Sequence, residues 1–290
     1  MLSQVDNRLV NIPVNINTVN ALCNTNIQTT KEMNNWLKNN QVQYEQSEID
    51  NSEKMAKSRV GTVLYNKLFK DYTYKQWNRY PEELDPSVLE RIPVRDNFDN
   101  RYFTDKFQAL PEKGYTEFIQ NMLNHKNITV QLNTDYFDFI KEQSNFEHII
   151  YCGPIDSFYQ HRKLAKLEYR SIEFITEKLY NTNYYQSNSV INFPDRSQPF
   201  TRIVEYKHFL NQKSDHTIIV KEITKETGEP YYPIPNKKNQ ELYEQYRAIA
   251  KEEKNIHFLG RLANYKYFNM DAAILNALEY FDNNFSIYKK

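Results

Sequence analysis

The sequence predicts a mixed α/β (α+β) fold, and three patterns predict it. Residues 17–71 repeat apolar side chains at helical spacing. Two short apolar runs, 149–152 and 256–259, have the length of buried strands, and Gly153 and Gly260 end them. Between them, 167–180, 188–193, 201–209 and 216–223 are β-rich and separated by turn residues, the pattern of an antiparallel sheet. With 290 residues, the chain is long enough for several layers around a large core.

Composition narrows the function. The 37 basic residues balance 37 acidic ones, which argues against a bulk electrostatic nucleic-acid binder. Hydrophobic content is only 40%, so the 23 Tyr and 17 Phe must supply much of the apolar area. Cys23 and Cys152 make neither a disulfide framework nor a metal set. His125, His148, His161, His208, His216 and His257 are scattered, none at metal-ligand spacing, so no metal is expected. No signal peptide and no stretch of membrane-spanning length is visible. The expectation is a cytoplasmic protein with no membrane or nucleic-acid partner. The glycines, Gly61, Gly114, Gly153, Gly228 and Gly260, lie far apart, so a G-x-G-x-x-G phosphate-binding turn is absent from these residues.

In chain order, residues 1–16 alternate polar and apolar around Leu9, Val10, Ile12, Val14 and Ile16, which suggests an extended entry or a strand of a larger sheet. Residues 17–45 carry two short helical patterns with Trp36 and Leu37 as core. A longer helix follows over 47–71, with Met55, Val60, Val63, Leu64, Leu68 and Phe69 on one face. Asp85 and Pro86 suit an N-cap and first turn. A helix is expected over 116–124, strands over 128–132 and 149–152, and an amphipathic helix over 239–254. Last comes a strand–loop–helix. The run 256–259 ends at Gly260, a loop carries Arg261, Tyr265 and Tyr267, and Asn269 can cap a helix that has Asp271 in its first turn. The free N–H groups of that helix start favour an anionic or carbonyl-bearing ligand edge.

No acid/base dyad or triad stands out. Tyrosine and arginine recur instead, in segments that fall into one family order. These are the Lys70-x-Tyr72-Thr-x-Lys75-Gln-Trp77 segment, Asp99-Asn-Arg-Tyr102-Phe, Leu110-Pro-x-x-Gly-Tyr115, Pro199-Phe-Thr-Arg202-Ile, Glu229-Pro-Tyr231-Tyr232-Pro-Ile, and Gly260-Arg261-Leu262 with Tyr265, Tyr267, Met270 and Asp271. Together they resemble the UDP-galactopyranose mutases, over about residues 8–285.

That resemblance implies a fold, a cofactor and a site. The fold would be an incomplete FAD-binding Rossmann-like domain (1–16, 104–165 and 236–290), an inserted helical domain (17–95) and an antiparallel sheet domain (96–103 and 166–235). The helical domain would bind uridine and carry a lid. Tyr72 would stack on the uracil with Trp77 beside the nucleotide; an aromatic platform suits a flat base. Arg91, on the lid, and Arg202 would be the catalytic pair that stabilises the leaving diphosphate, because a planar guanidinium pairs bidentately with phosphate. Tyr102, Asn192, Tyr231, Tyr232 and Tyr267 complete the substrate set. Arg170, Gly260, Arg261, Tyr267, Asn269 and Met270 would hold FAD; some members carry Asp where this chain has Asn269. The reaction implied interconverts UDP-galactopyranose and UDP-galactofuranose through a sugar adduct at N5 of reduced FAD, non-redox overall. The family's G-x-G-x-x-G segment is missing here. Three readings stay open: one part of a split mutase whose FAD-binding half is another chain, a truncated or decayed mutase that keeps UDP-sugar binding without flavin, and a structural scaffold. A homodimer is a further implied partner arrangement.

Overall fold

The computed structural model describes residues 1–143, 145–210 and 212–285. The chain opens with a hairpin, β1 (Leu2–Val5) and β2 (Arg8–Asn11). Asp6 and Asn7 turn it in left-handed conformations, φ 49° and 60°, the geometry of a two-residue turn that matches strand twist. Helix α1 (Ile16–Cys23) starts at Asn15, which accepts from the Thr18 N–H while the Thr18 hydroxyl returns the contact. Helix α2 (Thr30–Asn40) starts on the equivalent pair Thr29 and Glu32.

A long rod follows: α3 (Ser52–Leu64), a π-helical turn (Tyr65–Lys70) and α4 (Asp71–Trp77). It bends at Gly61, which sits at φ 77°, where a Cβ would collide with the Asn40 carbonyl at the end of α2. The close crossing of the two helices therefore requires glycine. Val63, expected in the core, is 52% exposed, because the break at Gly61 rotates the next turn off the apolar period. The rod also starts later than expected, at the cap Asn51, whose side chain accepts from the Lys54 N–H. Short α5 (Ser87–Glu90) closes this region. One core cluster, including Val14, Val19, Met33, Leu64 and Trp77, lies beneath the hairpin and these helices.

Next come α6 (Gly114–Leu123), α7 (Tyr136–Glu142), β3 (Ile149–Tyr151), α8 (Ile155–Phe158), β4 (Tyr169–Leu179), β5 (Val190–Asn192), β6 (Arg202–Glu205), β7 (Thr217–Lys225), β8 (Tyr232–Pro233), α9 (Lys237–Ala250), β9 (Ile256–Phe258) and α10 (Met270–Asn284). Seven strands form one sheet in the order β2-β1-β5-β6-β7-β4-β8, antiparallel except where β1 runs parallel to β5. β3 and β9 form a separate parallel pair, with Ile149 opposite Ile256. A second cluster, Ile155, Tyr159, Leu167, Leu242, Tyr246 and Tyr265, joins α8 and α9 to the segment after β9. The fold class is thus mixed, with the parallel pair and the antiparallel sheet where the sequence puts them.

Three expectations differ. Residues 1–16 were expected with the parallel strands; instead Leu2 and Ser3 pair with Ile191 and Asn192 of the antiparallel sheet. Their polar–apolar alternation, with Ser3 and Val5 buried and Gln4 exposed, suits a strand covered on one face. Residues 96–103 form no strand; Arg95 and Asp99 hold this stretch with a 2.6 Å ion pair, and Arg95 also donates to the Tyr102 carbonyl. Residues 128–132 form no strand either, and Ile128, Val130 and Leu132 are exposed, with no strand beside them among the described residues. An apolar run gains strand geometry only from a pairing edge.

Candidate functional site

A cleft of about 1480 Å³ opens between the rod, the end of the antiparallel sheet and the start of α10. Five segments place its side chains. The cleft-facing side of the rod supplies Tyr72, Thr73, Gln76 and Trp77, and the stretch after α5 supplies Arg91. The sheet contributes Asn192 from the end of β5, Arg202 from the start of β6 and Tyr232 from β8. The segment before α6 brings Tyr102, and the loop after β9 brings Arg261 and Tyr267, followed by Asn269 and Met270.

An aromatic and cationic cluster forms the floor. Trp77 meets Tyr232 and Tyr267 edge-on, at 6.0 and 5.5 Å between centroids, and the two tyrosines lie 5.4 Å apart. The Arg91 guanidinium lies 4.1 Å over the Tyr267 ring and donates to its hydroxyl at 3.0 Å. Arg261 lies over the same ring at 4.4 Å and over Tyr232 at 4.8 Å. These contacts hold both guanidiniums by their faces and leave N–H edges for an anion. Among the described residues neither has a carboxylate partner. Arg202 differs: its Nε donates to Glu222 at 2.7 Å, which fixes the fork on the strand opposite. Burial works against the charge of Arg202, yet its partners, the Glu222 carboxylate among them, outweigh it and raise its pKa. The Tyr72 phenol is pushed well up by burial, with Arg202 opposing, so it stays protonated. Burial raises Tyr102 and Tyr232 in the same way. The cleft therefore offers guanidiniums and neutral phenols, the donor set for a diphosphate.

Eleven residues singled out in the sequence line this cleft: Tyr72, Trp77, Arg91, Tyr102, Asn192, Arg202, Tyr232, Arg261, Tyr267, Asn269 and Met270. Three do not. Arg170 is buried beside the rod, where its Nε donates to the Gln76 carbonyl and its Nη2 to Thr224, so it staples β4 and β7 to α4. Tyr231 alternates with Tyr232 and points away, with its hydroxyl on Glu229 and its ring against Phe174. Gly260, at φ 90°, makes the turn, with its N–H on the Asn264 side chain, and so aims Arg261 without touching the cleft. Tyr265 is also structural: its hydroxyl accepts from the Ile234 N–H and donates to the Glu168 carbonyl. Lys75, in the same motif as Tyr72, donates to the carbonyls of Phe193 and Asp195, and burial holds its pKa down to about 8.

Sequence reading quoted Gln76 and Thr73 within a motif but gave them no role, and it missed Glu222. The first two stand one turn or one residue from Tyr72 on a helix, a spacing that could have flagged them; Glu222 reaches Arg202 only through strand register. The histidines are less scattered than their spacing suggests, because His148 Nδ1 and His257 Nε2 lie 3.1 Å apart and His257 Nδ1 meets the Tyr280 hydroxyl at 2.8 Å. Among the described residues no group of three metal-ligating side chains exists.

The residues at the α10 end fit a flat, polar-edged cofactor. Asn269 takes the N-cap position with extended backbone, but its side chain caps nothing, contrary to expectation, so the first helical N–H groups stay open toward the cleft. Arg261 Nε beside them is buried without a partner. An unmatched buried donor and an uncapped helix start both favour an acceptor-bearing ligand edge.

The family model described as GLF, UDP-galactopyranose mutase, matches residues 67–267, and the chain belongs to the UDP-galactopyranose mutase family. A probable UDP-galactopyranose mutase of Klebsiella pneumoniae is 39% identical over 231 residues, 78% of this chain and 59% of that protein. A dTDP-fucopyranose mutase of Escherichia coli is 34% identical over 281 residues, 94% of this chain and 73% of that protein. A UDP-galactopyranose mutase of Mycoplasma genitalium is 35% identical over 234 residues, 74% of this chain and 57% of its own length. The chain thus spans less than two thirds of the Klebsiella and Mycoplasma relatives. A crystal structure of a reduced UDP-galactopyranose mutase shares the fold, with a TM-score of 0.69 at 14% identity over 100% of this chain and 78% of that one. No described helix is long and apolar enough to cross a membrane.

Proposed function

We propose that this chain forms the nucleotide-sugar site of a flavin-dependent mutase that interconverts the pyranose and furanose forms of UDP-galactose. The observation that carries it is the guanidinium cluster. Among the described residues Arg91 and Arg261 carry no carboxylate partner, Arg202 is fixed by Glu222, and all three converge on one aromatic-floored cleft. Tyr72 offers the base a platform. Arg91 and Arg202 take up the charge that develops on the diphosphate as its bond to the sugar breaks, with the phenols of Tyr232 and Tyr267 as donors. Charge-assisted bonds of this kind are worth roughly 1.5–3 kcal/mol each. Arg261, Asn269 and Met270 would hold FAD at the start of α10, and reduced FAD when bound supplies the nucleophile for the anomeric carbon. A segment with the G-x-G-x-x-G turn is the proposed complement of this site for the flavin. The apolar faces of α6 and α10, with Met122, Met270 and Leu278 about 60% exposed, support a covering element there.

A second substrate reading has its own support. The dTDP-fucopyranose mutase aligns over 94% of this chain, so a deoxythymidine diphosphate sugar is the alternative substrate. The test is conversion of each nucleotide sugar by the chain together with a flavin-binding segment from a relative, FAD and dithionite. We expect turnover of one substrate, lowered at least about tenfold in Arg91→Ala. Conversion of neither, or an Arg91→Ala variant at full rate, contradicts the proposal.

A further inference from the structure

We propose that His148 and His257 form a two-imidazole site for a divalent transition-metal ion, with the Tyr280 hydroxyl orienting one of the two ligands. The inference goes beyond the nucleotide-sugar reading and does not depend on it. It starts from strand register. β3 and β9 run parallel with Ile150 opposite His257. Side chains alternate along a strand, so His148, two residues before Ile150, falls on the same face as His257. The Ile149 N–H donates to the Asn255 carbonyl at 2.8 Å, which holds the two chain segments together at this point. His148 Nδ1 and His257 Nε2 then lie 3.1 Å apart, although 109 residues separate them in sequence.

That separation suits two ligands of one ion. With metal–nitrogen bonds of about 2.0–2.1 Å, nitrogens 3.1 Å apart subtend roughly 100° at the metal, between the square and tetrahedral angles. The second nitrogen of His257, Nδ1, meets the Tyr280 hydroxyl of α10 at 2.8 Å. With its proton on Nδ1, donated to the Tyr280 oxygen, His257 turns the Nε2 lone pair to the ion; His148 with its proton on Nε2 does the same with Nδ1. Both rings are then neutral ligands, and no proton has to leave. A partner on the far nitrogen is what fixes the tautomer and orientation of a ligating imidazole. Burial, with the neighbouring His148 adding to it, holds the His257 pKa below the usual imidazole value, so this ring is neutral at pH 7. Phe285 packs edge-on against both rings, at 4.9 and 5.1 Å between centroids, and limits their rotation. His148 is exposed, so water can complete the coordination. Imidazole ligands suit zinc, nickel and copper, whereas magnesium and calcium prefer oxygen. The bound ion clamps β3 to β9 and, through Tyr280, ties the pair to α10.

The test is calorimetric titration of the full chain with Zn²⁺ alone and with Ni²⁺ alone, at neutral pH in a buffer that does not bind metals. One equivalent should bind the wild-type chain, and the affinity should fall about tenfold or more in His148→Ala and in His257→Ala. Tyr280→Phe keeps both ligands and loses the orienting hydroxyl, so it should weaken binding by about tenfold. Zinc should also raise the urea midpoint of the wild type but not that of His148→Ala, a change at an exposed position that serves if the His257 variant misfolds. His216, beside Ser214 and Asp215, is the rival site, and His216→Ala should leave the titration unchanged. No binding by the wild-type chain, or binding that both His148→Ala and His257→Ala leave intact, overturns the inference and marks the pair as a plain hydrogen bond. Binding lost only in His216→Ala overturns it too, and undiminished binding in Tyr280→Phe overturns the orienting role.

Discussion

Glu205 is fully buried on β6, yet it keeps its charge. Burial works to raise its pKa, but the Thr217 hydroxyl at 2.5 Å, the backbone N–H groups of Tyr185 and Gln186, and His208 Nε2 together lower it. A depressed carboxylate contributes stability above its unfolded value of 4.5, and that contribution is lost as pH falls through the lower folded value. Glu205→Ala strands these donors and should cost about 3 kcal/mol in denaturant unfolding at neutral pH. The difference from wild type should shrink as the pH drops below 4.5; a difference that is flat with pH would contradict the assignment. No sequence pattern marks Glu205, because its donors lie on other strands and loops. Arg202 was legible, since its motif names it, but the Glu222 that holds it was not.

The bent rod from α3 to α4 shows what periodicity carries and what it omits. Apolar spacing gave the helix and most of its buried face, including Val60, Leu64 and Leu68. It gave neither the break at Gly61 nor the π-helical turn, because the crossing helix that demands the break ends at Asn40, far off in sequence. Gly61→Ala forces a side chain into a left-handed conformation against a carbonyl and should cost about 2 kcal/mol or more, read as a lowered urea midpoint. An unchanged midpoint would show that the rod can straighten. Residues 1–16 make the same point: alternation marks a half-covered strand but not which sheet receives it.

Across the molecule, the cleft gathers residues from five segments that the sequence presents separately. Most of the tyrosines and arginines that line the cleft were legible, because they stand in spaced motifs. What was not legible is direction: Tyr231 sits in one of those motifs and Arg170 was expected at the flavin, yet both face the scaffold, and strand alternation or packing alone decides this. Gln76 stands in the same motif as Tyr72 but drew no role, as an ordinary polar residue on a helix. Neither α6 nor α10 carries a buried residue, whereas the rod and the sheet wall the cleft with the buried Thr73, Trp77 and Asn192. The account stands on the guanidinium-lined cleft binding a nucleoside diphosphate. Titration of the chain with UDP, wild type against Arg202→Ala, measures that. Saturable binding that weakens with added salt and falls at least about tenfold in Arg202→Ala is the predicted result. No binding by the wild-type chain, or equal binding by both, would contradict it.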